Sequence, residues 1–153
     1  METKSNNYAD NLARGLEFQD FIAVEFSKIG IPITSFSSKK YQYTKGENLQ
    51  GFEIKFDMMF RKTGNFWIEC KEKSRAENIN WIDSGIFRND NTIFYVIGDY
   101  DGVYIMQKKI LQAMSKKYNH YENKSKTSIG FLLKVSEAEK YFDYKNLMEK
   151  ING

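Results

Sequence analysis

The sequence predicts an α/β fold, a mixed sheet flanked by helices, and three observations carry that expectation. Apolar residues recur at helical spacing near the start, strand-like alternation fills the middle, and helical patterns return near the end. From Ala9 to Ile29 the residues Leu12, Leu16, Ile22, Ala23, Phe26 and Ile29 form a helical stripe, with Gly30-Ile31-Pro32 as its stop. Gln19 projects into that stripe, where a polar group needs a partner, whereas Glu17 lies well away from it.

Glu53 to Phe60 alternates as a strand, placing Glu53, Lys55, Asp57 and Met59 on one side and Ile54, Phe56, Met58 and Phe60 on the other. Thr63-Gly64-Asn65 then predicts a turn into a second strand, Phe66 to Lys71, with Trp67, Glu69 and Lys71 on one face. The two are expected to form a hairpin. A helix or irregular crossover is expected around Trp81-Ile82, with Asp83-Ser84-Gly85 read as a turn. Thr92 to Ile97 is the next strand, and Asp99-Tyr100-Asp101-Gly102 turns it into Val103 to Met106. Lys108 to Lys117 reads as a helix, Tyr118 to Thr127 as a polar loop, and Ile129 to Val135 as a late strand. Ser136 and Glu139 have the spacing of a capping box for a last helix.

The 153 residues suit one domain, residues 1–153, with 12 Phe and 10 Tyr to build its core. No stretch approaches the ~20 apolar residues of a membrane span, and METKSNNYADN lacks the apolar core of a secretory signal, so a soluble, cytoplasmic protein is expected. One cysteine, Cys70, and one histidine, His120, exclude a disulfide framework and multi-histidine or multi-thiolate metal sites. Carboxylates and lysines must carry any catalysis. Net charge is only +3, but Lys39-Lys40, Lys71 to Arg75 and Lys108 to Lys126 are locally basic. Tyr41, Tyr43, Tyr118 and Tyr121 interleave with these lysines, a pattern that suits contact with phosphates and bases and equally a solvated surface.

Asp57, eleven intervening residues, then Glu69-Cys70-Lys71 is the informative constellation. Two carboxylates are hard ligands of the kind magnesium prefers, and the Cys70 carbonyl between the motif side chains is a further candidate ligand. The Lys71 ammonium is placed to orient a water and offset charge growing on a phosphorane-like transition state.

This pattern resembles the PD-(D/E)xK nuclease superfamily, which includes restriction enzymes, Holliday junction resolvases and phage or repair nucleases. Gln19, eleven positions before Gly30, stands where that superfamily often carries an acidic or polar helix residue; Phe56 stands where proline often precedes the motif aspartate. The resemblance spans roughly Leu12 to Met106. It implies a restriction-endonuclease-like αβββαβ core and Mg²⁺-dependent endonucleolytic cleavage of DNA, with Mn²⁺ as a substitute. It further implies catalysis by Asp57, Glu69 and Lys71, with metal at Asp57, Glu69 and the Cys70 carbonyl. With glutamine at position 19, Glu53 is the favoured third acid, ahead of Glu17, and Gln19 itself is a candidate for the site. Lys40, Lys55, Lys73 and Arg75 are the candidate contacts to the nucleic-acid backbone, with an ion pair to Glu53 as the somewhat favoured alternative for Lys55. Trp67 and Trp81 read as packing residues rather than base platforms. A small chain with no separate reading domain suits a structure-selective, resolvase-like nuclease, and a homodimer would account for paired cuts. The alternatives are a catalytically silent nucleic-acid-binding or assembly protein on the same scaffold, and an unrelated interaction domain.

Overall fold

The computed structural model describes residues 4–34 and 46–148. Lys40, Tyr41 and Tyr43 lie outside the described residues. Helix α1 runs from Lys4 to Lys28. Its end is built locally: Ile29 and Ile31 donate their N–H groups to the Phe26 carbonyl, and Gly30, at φ 83°, supplies the left-handed residue that such a stop favours. Phe18, Ile22 and Phe26 form the buried face, all at 0% exposure. The expected stripe is corrected at both ends, because Leu12, Leu16 and Ile29 are each about half exposed. Leu12 and Leu16 instead wall a cavity beside the sheet.

Two four-stranded sheets follow. The first has the order β1 (Phe52–Phe56), β4 (Phe94–Asp99), β5 (Gly102–Gln107), β8 (Asp143–Asn146), with β1 parallel to β4 and the remaining pairs antiparallel. The second is antiparallel, in the order β3 (Ile82–Asp83), β2 (Asn65–Glu72), β7 (Ser128–Lys134), β6 (Tyr121–Glu122). Side-chain alternation through the first sheet explains the layering. Ile54, Val96 and Val103 meet Phe18, Ile22 and Phe26 of α1, whereas Tyr95, Ile97, Tyr104 and Met106 meet Phe66, Ile68, Phe131 and Leu133 of the second sheet. A helix, a sheet and a second sheet therefore stack around two apolar cores. Helix α3 (Lys108–Ser115) adds Leu111 to the inter-sheet core, and α4 (Val135–Tyr141) adds Ala138.

The mixed α/β character and the hairpin at Asp99–Gly102 agree with expectation. The β1–β2 hairpin does not form: β1 pairs with β4, while β2 pairs with β7 and β3. The cause lies between them. Asp57 turns its carboxylate onto the N–H groups of Met59 and Phe60, and the chain folds into the single helical turn α2 (Phe60–Thr63). Gly64, at φ 75°, closes that turn, and β2 starts in the other sheet. The crossover before β4 contains only β3 and a 3-10 turn, Gly85–Phe87, instead of the α-helix of an αβββαβ run. The capping box is also corrected, because α4 begins two residues earlier, with Lys134 rather than Ser136 as its N-cap and no side-chain cap. The Val135 N–H at its start is satisfied by the Gly64 carbonyl at 2.9 Å. Strands β3, β6 and β8 were not anticipated. Among the described residues no helix is long and apolar enough to cross a membrane.

Candidate active site

β1 is an edge strand of the first sheet, and the layers meet beyond its end. There Asp57, leaving β1, and Glu69, from the middle of β2, line one cavity of about 310 Å³ together with Lys55, Trp67, Gly85 and Tyr95. Separate sheets thus deliver the two carboxylates that a hairpin was expected to deliver. Asp57 is half-buried. Its N–H continues the β1–β4 pairing to the Gly98 carbonyl at 2.8 Å, and its Oδ1 accepts from Met59 and Phe60 at 2.8 and 3.0 Å. Oδ2 is the oxygen left for a ligand. Glu69 is similarly placed: Oε1 accepts from the hydroxyl of buried Ser128 at 2.7 Å, leaving Oε2.

Lys55 belongs to this cavity and to a second, of about 430 Å³, between α1 and β1. Asp57 is shared in the same way, and Gln19 and Glu47 stand in the wall of the second cavity. The Lys55 ammonium lies 3.0 Å from Glu53 Oε1; the lysine side chain is half exposed, and the glutamate is buried. Glu53 holds that ammonium above its ordinary range, against the opposing effect of burial, and Glu47 and Glu69 add to the rise. Glu53 itself faces Lys55 and stands in neither cavity wall. Tyr95, the partner of Glu53 across the β1–β4 pairing, is buried, and burial followed by the charge of Glu53 raises the pKa of its hydroxyl.

Glu47 is a residue that pattern reading missed. It sits in the loop entering β1, half-buried, with Oε2 accepting the Ile54 N–H at 3.3 Å. Burial, then the neighbouring charge of Glu53, pushes its carboxyl up to about 7, while Lys55 and Arg88 partly offset the rise. No periodic pattern runs through this loop. The available hint is its bracketing by Gly46 and Gly51, both at positive φ and both packed too closely against Asn91 for a Cβ. The loop is also clamped by Asn48, whose side chain bonds the N–H and carbonyl of Phe52.

The remaining expected residues fall elsewhere. Lys71 is in neither cavity wall; its ammonium is 4.0 Å from Asp83 on β3, and the β2–β7 register slips between Glu69 and Lys71. The Cys70 side chain is buried, and its carbonyl accepts the Ser84 N–H at 3.0 Å. Burial and then Glu69 push the thiol up to about 11, which keeps it protonated near neutral pH. Lys73 donates to the Asn78 carbonyl and lies 4.3 Å over the Trp81 ring, and Arg75 is exposed. Trp67 is exposed at the cavity rather than packed in a core.

Among the described residues no group of three or more His, Cys, Asp and Glu side chains is placed to hold a metal ion. The two cavity carboxylates still suit magnesium, which commonly uses one or two protein carboxylates and fills its other positions with water and phosphate oxygens. Comparison of the chain with protein-family models, characterised proteins and solved structures gives no match.

Proposed function

We propose that the protein is a divalent-metal-dependent endodeoxyribonuclease that hydrolyses phosphodiester bonds. One observation carries this reading: Asp57 and Glu69, on different sheets and each with one oxygen committed to a structural hydrogen bond, line a single cavity with Lys55. Charge supports it. Glu47, Glu53, Asp57 and Glu69 gather around one lysine, so an anionic phosphodiester meets net repulsion that a bound Mg²⁺ would reverse. Asp57 and Glu69 are the residues that would hold the ion. When bound, it polarises a phosphoryl oxygen and lowers the pKa of a coordinated water. The protein's part is to fix the two carboxylates: Ser128 orients Glu69, and the α2 backbone orients Asp57.

The test is cleavage of linear, supercoiled, flapped and four-way DNA with magnesium, manganese or EDTA. Metal-dependent cutting that falls ~100-fold or more in both Asp57→Asn and Glu69→Gln is expected. Cutting unchanged in both variants sinks the assignment. DNA affinity without turnover in the wild type would make the protein a nucleic-acid-binding or assembly factor instead.

A further inference from the structure

We infer that Lys55, and not Lys71, is the catalytic ammonium of this site, contacting a non-bridging oxygen of the scissile phosphate between Asp57 and Glu69. The inference rests on the phosphodiester-hydrolase reading above. Three observations carry it. Lys55 lies in the walls of both cavities, so a strand of nucleic acid passing from one to the other crosses it. It stands two residues before Asp57 on an edge strand, with its side chain half exposed while its partner Glu53 is buried, an arrangement that anchors the ammonium and leaves it accessible. Lys71, by contrast, follows the slip in register on β2, is drawn toward Asp83, and lies in neither wall.

In the reaction the oxygen of water bonds to phosphorus while one ester P–O bond breaks, its electron pair staying on the leaving oxygen. The attacking water loses one proton to solvent and the leaving oxygen takes one from solvent, so the balance is one water consumed per bond cut. Lys55 transfers no proton. Its fixed positive charge offsets the extra negative charge on the phosphoryl oxygens as the phosphorus becomes five-coordinate.

The test uses the full chain and the DNA structure that the wild type cuts best. Single-turnover cleavage in magnesium is compared for Lys55→Arg, Lys55→Met, the double variant Lys55→Met/Glu53→Gln and Lys71→Met. The double variant removes both charges, so no buried carboxylate is left alone if the single change unfolds the protein. In parallel, lysine ammonium NMR signals are followed while a short duplex is added in calcium. Expected are a loss of ~100-fold or more in the double variant, a smaller loss in Lys55→Arg than in Lys55→Met, and a shift of the Lys55 signal on adding duplex. A folded double variant that cuts within about threefold of wild type overturns the inference, as does a Lys71 signal that moves while that of Lys55 does not. A wild type that cuts no DNA overturns the hydrolase reading and this role with it, whereas loss of cutting confined to Lys71→Met overturns the role of Lys55 alone.

Discussion

Glu47 carries a stability cost that depends on pH. Its folded carboxyl sits at about 7, above the ordinary 4.5, because burial and Glu53 disfavour the anion. Between those values the folded chain keeps a proton that the unfolded chain has lost. Stability is therefore fully present below about pH 4.5, falls as pH rises toward 7, and levels off above. Glu47→Gln keeps an oxygen for the Ile54 N–H and removes the titration. In urea unfolding the variant is expected to exceed wild type by roughly 1–3 kcal/mol at pH 8 and to match it at pH 4. Parallel curves at both pH values would show that Glu47 is not the responsible group. At this scale the sequence was partly legible. Asp57 and Glu69 stood out because strand alternation and motif spacing mark them, whereas Glu47 lies in a loop whose geometry is set by Asn48 and Asn91, far apart in the chain.

At the scale of elements, glycine at position 85 ties the 3-10 turn to β2, the strand that carries Glu69. Its φ is 52°, and a Cβ there would lie 2.1 Å from the Glu69 carbonyl oxygen. That atom belongs to backbone and cannot swing aside. Gly85→Ala is expected to cost about 2 kcal/mol or more, from the left-handed conformation plus displacement of β2. It should also lower metal-dependent cutting, because Glu69 moves with its backbone. A variant with wild-type stability and cutting would show that the turn and β2 are not rigidly coupled. Reading Asp83-Ser84-Gly85 as a turn is right only in part, since Asp83 belongs to β3 and Gly85 opens the 3-10 turn, whereas the Asp99–Gly102 hairpin, whose partners are consecutive in sequence, forms as expected. The expected β1–β2 hairpin failed for the opposite reason. Nothing in Glu53 to Phe60 announces that β1 will pair with β4, and the Asp57 carboxylate, read only as chemistry, also holds the Met59 and Phe60 N–H groups where the chain turns into α2.

For the whole molecule, the order of layers decides how the site is held. The inter-sheet core fixes Glu69, while the smaller core beneath α1 brings Gln19 to the cavity it shares with Glu47, Lys55 and Asp57. Phe18 is the hinge of that second core, fully buried and stacked on Phe56 with ring centroids 4.7 Å apart, one residue from Asp57. The strongly apolar run from Thr92 to Ile97 announced a buried strand; which side would receive α1 was not legible, since β4 is apolar on both faces. Phe18→Ala should destabilise the protein by about 3–5 kcal/mol, whereas Leu16→Ser, at a half-exposed position, should cost about 0.5 kcal/mol or less. If the layers are separable, hydrogen exchange in Phe18→Ala will quicken first along α1 and β1 while β2 and β7 keep their protection. The remaining metal-dependent cutting would then fall through loss of the α1 wall, with Glu69 still in place. Uniform loss of protection across both sheets would instead mean that the two cores open as one unit, and that every residue of the site depends on α1.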